Sequence, residues 1–208
     1  MRTITASLFM TLDGVVGGEE EMEVWHFPYF NDELGDAATG AYNSADTIVL
    51  GRVTYDSFAG AWPEREKEGE AAEFAKQLGD MQKVVVSSRQ LEFTWRNSEQ
   101  LRGDLVEGVT ALKNEPGDTG IVLPGSISLI RQLLAAGLVD RLHVMVHPIA
   151  AQTGFRLFED AKPPIPLKLI SSRSFQTGVL DLVYAPAAAP DSAGHDDAKA
   201  HLTRSEQQ

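Results

Sequence analysis

Hydrophobic residues are grouped along the chain into short apolar runs separated by longer segments with helical spacing. The runs are rich in β-branched residues, as is typical of strands, and they occupy positions 1–12, 45–51, 83–89, 121–123 and 141–149. The second run is apolar throughout its centre, which predicts a strand covered on both faces. A final alternating stretch at 167–185 predicts a hairpin with its turn near 176–178.

The segments between these runs carry helix signals. The most regular one has a single apolar stripe and stops at Gly137, a residue suited to a helix C-terminus. Its stripe consists of Ile127, Ile130, Leu133 and Leu134. Residues 31–44 predict a short helix capped by Asn31 or Asp32. Three further helices are predicted. One begins at position 54, one spans the charged and exposed segment 63–80, and one ends near 116–117.

Two segments fit neither pattern. Residues 15–30 contain paired glycines and an acidic cluster, and they predict a mobile loop with aromatic anchors. From Pro186 onward the chain is rich in Ala, Asp and Pro with a single leucine. Residues 186–208 are therefore predicted to be a disordered tail behind one domain at 1–185. Strands alternating with helices and ending in an antiparallel hairpin predict an α/β fold with a mixed sheet.

Composition narrows the functional classes. The 208 residues include 18 basic and 30 acidic side chains, giving a net charge of −12, which disfavours binding to nucleic acid or anionic membranes. No stretch approaches the roughly 20 apolar residues that span a bilayer. The absence of cysteine removes disulfides, thiolate metal sites and cysteine nucleophiles. We expect a soluble cytoplasmic protein that binds a small molecule and no metal.

Three predicted strand ends carry residues suited to one anionic ligand. Gly51 lets a ligand approach the main chain, while Arg52 and Thr54 add donors at a helix start that attracts anions. Two hydroxyls and a guanidinium, from Ser87, Ser88 and Arg89, follow another strand and suit a ribose phosphate.

The third strand end places Gly125, Ser126 and Ile127 at the start of the striped helix. Each turn alone is also compatible with an ordinary helix cap or a polar strand exit. Because open α/β sheets bind ligands at the carboxyl edge of their strands, three such turns favour a dinucleotide. The chain contains neither G-x-G-x-x-G nor G-x-x-x-x-G-K-[ST].

The segments "VLGRVTYDSF", "KVVVSSR" and "PGSISLIRQLLAAGLVDRLHVMVHPIAAQTGFRLF", in this order, resemble the dihydrofolate reductase-like superfamily. The most similar branch is the C-terminal reductase domain of the riboflavin-biosynthesis deaminase–reductase, and the resemblance covers about residues 2–185. It implies a three-layer fold, with a mixed, mostly parallel central sheet, flanking helices and a C-terminal antiparallel hairpin. It also implies NADPH as hydride donor and a homodimer.

The resemblance also assigns roles to the three turns. Gly51, Arg52 and Thr54 would hold the NADPH phosphates. Ser87, Ser88 and Arg89 would face the adenosine 2′-phosphate, and Gly125, Ser126 and Ile127 would line the pyrophosphate and nicotinamide. Asp13 and Gly14 would lie in the loop over nicotinamide and substrate, with Trp25 as the aromatic after it and Gly154 in a later turn. Pro124 stands where the family usually has glycine, which removes an N–H.

Several residues are candidates for the substrate side. Asp13 is the leading catalytic candidate, although a turn-forming role before glycine competes with it. Asp32 or Glu33 could supply a carboxylate, or lie at the surface of a helix N-terminus. His143 and His147 lie on one strand about 13 Å apart, too far to share a metal, and are interpreted as solvent or interface residues. An aromatic wall or a set of core anchors could come from Trp25, Phe27, Tyr29 and Phe30.

The sequence thus predicts an NADPH-dependent reductase of the dihydrofolate reductase or pyrimidine reductase type. Its substrate would be a small heterocyclic or imine-bearing compound, stacked against the nicotinamide with water largely excluded. An NADPH-binding protein without turnover, such as a sensor, is the alternative, and the proline at 124 motivates it. A structural α/β protein with no ligand is a third hypothesis.

Overall fold

One eight-stranded sheet organises the chain in a computed structural model that describes residues 1–17, 19–158 and 163–189. Its strands are β1 (Ile4–Thr11), β2 (Ala45–Gly51), β3 (Gln82–Val86), β4 (Ser98–Gln100), β5 (Gly120–Leu123), β6 (Arg141–His147), β7 (Leu167–Ser174) and β8 (Leu180–Pro186). The spatial order is β4-β3-β2-β5-β1-β6-β8-β7. The first six strands are parallel, and β8 and β7 continue the sheet in antiparallel fashion.

Six α-helices within the described residues connect and cover the strands. They are α1 (Glu19–Trp25), α2 (Asp32–Asn43), α3 (Arg52–Arg65), α4 (Ala72–Asp80), α5 (Leu105–Asn114) and α6 (Ile127–Ala135), and a 3₁₀ turn spans Phe27–Tyr29. Asn31 caps α2, because its side-chain oxygen accepts the Leu34 N–H at 3.0 Å. None of the helices in these described segments is long and apolar enough to cross a membrane.

The apolar runs build a core on each face of the sheet. The predicted stripe of α6 packs with α5 and with alternate residues of β1, β5 and β6, such as Ile4, Ile121 and Val144. On the other face of the sheet, β2 and β3 pack on α3 and α4. On this same face, α2 covers β1 and β6. The helix–sheet–helix layering and the antiparallel hairpin confirm the fold class expected from the sequence.

The prediction of a mobile loop at 15–30 was wrong. Residues 19–25 form α1, and the 3₁₀ turn follows it. The segment contains four glutamates and one methionine, which favour helices, and tertiary contacts bury Trp25 and His26 at its end. The paired glycines had suggested irregular structure, but they precede the helix instead of interrupting it.

Two further differences concern the margins of the sheet. The short edge strand β4 carries polar residues without an apolar alternation, so no pattern predicted it. Pro186, expected to open the tail, is the last residue of β8 and pairs with Leu167. The Ala187 N–H then donates to the Pro166 carbonyl at 3.0 Å. The predicted disorder falls mainly on residues 190–208, which lie outside the described residues.

Three buried cations stabilise the sheet and its helices at or near the amino edge of the strands. Lys83 is fully buried and donates to the carbonyls of Leu78, Gly79 and Met81 at 2.7–2.9 Å. Arg2 donates to main-chain carbonyls of the loop before β5, and Lys113 to that of the loop before β6. Each cation therefore satisfies main-chain acceptors that packing would otherwise leave unpaired.

Candidate functional site

The three turns singled out from the sequence meet at the carboxyl edge of three adjacent strands, β3, β2 and β5. Gly51 is the register partner of Val86, so the exits of β2 and β3 lie side by side. The Gly51 N–H donates to the Ser126 hydroxyl at 2.8 Å, which joins the β2–α3 turn to the β5–α6 turn. The convergence expected from the sequence is therefore present in the structure.

The β2–α3 turn presents main-chain donors. Gly51 is the N-cap of α3 and has no side chain to satisfy the first helical N–H groups. The main-chain N–H groups of Val53 and Thr54 have no partner among the described residues, so the helix start is available to an anion. The Arg52 guanidinium pairs with Asp56 at 2.9 Å, and both side chains are exposed. Such a pair is easily broken.

The β5–α6 turn is held in an unusual conformation. Ser126 has φ +53°, in the region that favours glycine, and its side chain does not cap α6. Its hydroxyl instead bonds the Thr54 hydroxyl at 2.8 Å as well as the Gly51 N–H. Gly125 lies against Thr54, close enough that an added Cβ would stand 3.4 Å from its methyl group. Ile127 packs partly into the core beneath this turn.

The exit of β3 forms a small polar loop. The Ser87 hydroxyl accepts the Arg89 N–H at 3.0 Å. Gln100 of β4 stabilises this loop, because its side-chain amide donates to the carbonyls of Ser87 and Arg89 at 3.0 and 2.8 Å. Ser88 and Arg89 are exposed. Within the described part of the chain the Arg89 guanidinium has no partner, so the loop holds it in place without neutralising it.

A step in the sheet lies beside these turns. β5 ends at Leu123, level with Ala6, whereas β1 continues to Thr11 and β6 to His147. The two longer strands project roughly 16 Å beyond β5 at about 3.3 Å per residue. The chain leaves β1 toward β2 and leaves β5 toward β6, in opposite directions. Such a switch point is where open α/β sheets bind ligands.

Asp13 lies at the end of β1 and is fully engaged by its neighbours. Its carboxylate accepts the Thr11 hydroxyl at 2.6 Å and the N–H groups of Ala151 and Gln152 at 3.0 and 2.9 Å. The Thr11 bond and these main-chain bonds lower the pKa of Asp13 to about 2. The Arg156 guanidinium also contacts this turn. The arrangement favours a structural role over catalysis for this carboxylate.

The loop around Gly14 is tied to the chain that follows β6. Gly14 has φ +84°, and its carbonyl accepts the Leu157 N–H at 2.9 Å. Val15 forms an isolated antiparallel bridge with Arg156. Gly154, from the later turn that the resemblance pointed to, has φ +119° beside this bridge. Both glycines thus shape the junction of the β1 and β6 exits.

The acidic start of α2 does not place a buried carboxylate at the step. Asp32 is exposed at the first helical position. Glu33 is half-buried and accepts the Gln176 N–H of the β7–β8 turn at 2.9 Å. Solvent exposure therefore accounts for Asp32 and the turn contact for Glu33, and neither is a buried carboxylate at the step.

An imidazole–aromatic cluster occupies the projecting ends of β1 and β6. His26 Nδ1 and His147 Nε2 are 3.1 Å apart, and these side chains are 2% and 0% exposed. Phe9 stacks on the His26 ring at 4.0 Å between centroids, and the rings of Trp25 and Tyr29 lie edge-on to His147. The aromatic wall considered from the sequence is thus built around two imidazoles.

The interpretation of His143 and His147 as solvent or interface residues was wrong. His143 is buried and bonds Ser7 and Asp181, at 3.0 and 2.5 Å, and His147 bonds His26. The pattern of a single strand does not show which of its faces a helix will cover. In the structure, α1 and α2 cover the face of β6 that carries the two histidines. His26 itself was missed; its only sequence signal is an imidazole within the aromatic segment 25–30.

Burial keeps the histidine pair neutral. Removal from water lowers the pKa of His26 to about 4, and the neighbouring His147 adds to the effect. Burial also lowers the pKa of His147, although the carbonyls of Met10 and Met145 oppose it. A proton on either ring would charge a site walled by Phe9 and Trp25, which is why the neutral forms are favoured.

Acid should therefore destabilise the fold through this pair. The unfolded imidazole titrates near 6.5 and the folded His26 near 4, so the unfolded chain binds protons first as the pH falls through this window. The free energy of unfolding should drop by about 2 kcal/mol between pH 7 and pH 5 from His26 alone. Urea denaturation of wild type and His26→Gln measures it, and identical pH slopes would contradict the assignment.

Two open cavities lie at the other edge of the sheet. One, of about 450 Å³, is lined by Asp80, Gln82, Asn97, Ser98 and Glu99. The second, of about 280 Å³, lies where β1, β2, β5 and β6 begin. They share no residue with the three turns or with the histidine cluster. Their size alone does not make them functional, and the unpaired donors gather at the carboxyl edge instead.

Comparison with known proteins agrees with this fold. The RibD C-terminal domain family matches residues 2–180. The Bacillus subtilis (strain 168) protein YyaP is 32% identical over 183 residues, which are 88% of this chain and 94% of YyaP.

Two solved structures share the fold at low sequence identity. A putative riboflavin biosynthesis protein from Shewanella sp. PV-4 has a TM-score of 0.67 and 18% identity, covering 90% of this chain and 100% of that one. A pyrimidine reductase-like protein from Corynebacterium diphtheriae has a TM-score of 0.58 and 17% identity, covering 90% and 93%. Together with the family match, they confirm the resemblance, and the chain belongs to the RibD C-terminal domain family.

Proposed function

We propose that the protein is an NADPH-dependent reductase that transfers a hydride to a flat heterocyclic or imine-bearing substrate, of pterin or pyrimidine type. The observation that carries this proposal is the convergence of three donor-rich turns on one sheet edge, joined by the bond between Gly51 and Ser126. Membership of a family with reductase-like relatives supports the same class of reaction.

The residues at these turns fit the cofactor. The free N–H groups of Val53 and Thr54 would form an anion site at a helix start, and any side chain at Gly51 would close it, since an added Cβ would stand 2.2 Å from the Ser126 hydroxyl. Gly125 and Ile127 would hold the pyrophosphate from the other turn. The unpaired Arg89 suits the 2′-phosphate, which a guanidinium grips with two parallel bonds. When bound, NADPH supplies the hydride.

The protein's own part would be to hold the substrate. The step between β5 and the projecting ends of β1 and β6 lies beside the cofactor turns, and the imidazole–aromatic cluster occupies the projecting ends. This step would be the substrate crevice. Aromatic side chains would hold a flat ring in the crevice and exclude water, which strengthens positioning and electrostatics. The name of one structural neighbour, a pyrimidine reductase-like protein, supports a pyrimidine among the possible rings.

A non-catalytic NADPH-binding protein is the second candidate. It is favoured by one observation: Asp13, the leading catalytic carboxylate, is occupied by main-chain and hydroxyl donors. Titration of NADPH by its fluorescence separates binding from no binding. Loss of NADPH absorbance with a panel of pterins, pyrimidines and quinones separates the reductase from the sensor. Absence of NADPH binding would contradict both.

Replacing Arg89 by alanine tests cofactor choice. NADPH binding should weaken by about 1.5–3 kcal/mol, the worth of a charged hydrogen bond, while NADH binding stays nearly unchanged. Arg65→Ala is the matched control, because Arg65 stacks on Trp62 at the far end of α3. Calorimetric titration of both cofactors measures the effect. Equal losses for NADPH and NADH would show that Arg89 does not contact the 2′-phosphate.

We further propose that a second copy of the chain covers the β7–β8 hairpin. Every residue of β7 after Leu167 is exposed, and the hairpin presents Leu169, Ile170 and Leu180 with 41–47% of their surfaces open. A sheet edge with exposed apolar residues invites pairing. Sedimentation at micromolar concentration should report a dimer that Leu169→Lys weakens. A monomer at that concentration would contradict the proposal.

A further inference from the structure

Two polar atoms at the end of α1 lack partners. The Trp25 indole N–H is buried without an acceptor among the described residues, and the side chain as a whole is 3% exposed. The adjacent His26 uses Nδ1 to bond His147, and its Nε2 bonds no described residue. An unpaired buried N–H costs about 1–3 kcal/mol, so this arrangement needs an explanation beyond packing.

The hydrogen-bond chain fixes which nitrogen of each imidazole carries its proton. His147 Nδ1 lies 3.3 Å from the Met10 carbonyl and 3.1 Å from the Met145 carbonyl. Carbonyl oxygens only accept, so His147 Nδ1 must be the protonated nitrogen. In the neutral ring Nε2 is then a bare acceptor, and it receives the His26 Nδ1–H at 3.1 Å. His26 Nε2 is consequently left with a free lone pair.

Exposed aromatic surface adjoins the buried His26 ring. Phe9 covers one face of the ring. Phe27 and Phe30 contact His26 at centroid distances of 5.1 and 5.5 Å, yet more than half of each is exposed. A buried acceptor beside exposed aromatic surface is the usual composition of a small-molecule site, which is mostly apolar with a few placed polar groups.

We propose that His26 Nε2 is a fixed hydrogen-bond acceptor that selects substrates with a ring N–H. Its ligand would be a flat heterocycle that carries a ring N–H at its edge. This inference rests on the proposed reductase function for the placement of the substrate beside the histidine cluster. His26 is thus a specificity-determining residue and His147 a positioning residue that sets its tautomer.

The neutral state of the pair supports an accepting role. Burial lowers the pKa of both rings, so neither imidazole is a ready proton donor at neutral pH. The groups that face the pair are aromatic rings and the β1 and β6 carbonyls; the rings are Phe9, Trp25, Phe27, Tyr29 and Phe30. None of these is a carboxylate that would hold a second proton on the pair.

The tautomers can be read directly. In protein labelled with ¹⁵N histidine, long-range ¹H–¹⁵N spectra should show His26 and His147 protonated on Nδ1 and bare on Nε2. His26→Gln and His147→Gln assign the signals. A His26 ring protonated on Nε2 would overturn the inference before any ligand is added.

The acceptor is tested with two probes that differ at one ring nitrogen, N1-methyluracil and N1,N3-dimethyluracil. Wild type should prefer the probe with the N3–H by about tenfold, and His26 Nε2 should shift on its addition. The preference should fall to about one in His26→Phe and persist in part in His26→Gln, which keeps an acceptor. Val24→Ala, exposed on the same helix, should behave as wild type.

Equal affinity of wild type for the two probes, or an unchanged preference in His26→Phe, would overturn the inference, as would no binding of N1-methyluracil. Equal affinity for the two probes, in a protein whose histidines are both protonated on Nδ1, would mean that water alone occupies the acceptor. NADPH affinity is measured in the same samples and should be equal in all variants. Failure of wild type to bind NADPH would instead overturn the proposed function, and the two failures are therefore distinguishable.

Discussion

Valine in place of Gly51 is expected to abolish NADPH binding. An added Cβ would stand 2.2 Å from the Ser126 hydroxyl and 2.8 Å from its Cβ, so the β2–α3 and β5–α6 turns must separate. The helix-start N–H groups would then lose their alignment, and two charge-assisted hydrogen bonds to phosphate are worth about 3 kcal/mol or more. Overpacking should also lower the free energy of unfolding by about 1–3 kcal/mol.

Calorimetric titration with NADPH and urea denaturation measure these two effects. Gly60→Ala is the matched control: it lies in the same helix, with nothing near its Cβ position, and should stabilise the helix by about 0.5–1 kcal/mol. Ser126→Gly should partly rescue Gly51→Ala, because it removes the clashing side chain and suits φ +53°. Undiminished NADPH binding by folded Gly51→Val would contradict the proposed phosphate site.

Replacing Lys83 by methionine should cost about 2–4 kcal/mol of unfolding free energy. The ammonium group donates to three carbonyls at the end of α4 and lies 4.4 Å above the Trp95 ring. Methionine keeps the apolar stem but leaves these acceptors without a partner. Burial lowers the pKa of Lys83 to about 8, so the group is still largely charged at neutral pH.

Urea denaturation at pH 7 tests this prediction. Lys76→Met is the control, because Lys76 is exposed and forms only an (i, i+4) pair with Asp80; its loss should change stability by less than about 0.5 kcal/mol. Wild-type stability in Lys83→Met would show that water satisfies the α4 carbonyls and that the buried ammonium contributes nothing.

The buried cations and the candidate site lie in opposite halves of the same sheet. Toward the amino edge, Arg2, Lys83 and Lys113 supply donors to main-chain carbonyls. At the carboxyl edge, the N–H groups at the start of α3 and the Arg89 guanidinium remain unpaired among the described residues. The main-chain acceptors at the amino edge are paired within the protein, whereas the donors at the carboxyl edge are free to bind a ligand.

Local patterns were sufficient for most of the fold. The apolar run before Gly51 and the stripe ending at Gly137 each became the expected element, because β2 is buried on both faces and α6 on one, and each kind of burial leaves its own pattern. The same reasoning failed for α1, where paired glycines masked a helix, and for β4, an edge strand without an apolar face. Periodicity reports burial, so elements at the margin of the core leave weak signals.

The site was predictable only in part. Its three turns follow strands, and parallel strands carry their ends to one edge, so their convergence could be inferred from chain order. The Ser126 link to Gly51 depends on side-chain directions that no pattern encodes. The pairing of His26 with His147 joins residues 121 positions apart, and a sequence shows such a contact only after the topology is known.

The central claim is that three turns bind one NADPH molecule, and amide chemical shifts measured during an NADPH titration test it most directly. The account predicts that amides of Arg52 to Thr54, Ser87 to Arg89 and Gly125 to Ile127 shift together along a single saturable curve. Shifts confined to one turn or to the amino-edge cavities, or no saturable shift, would contradict it.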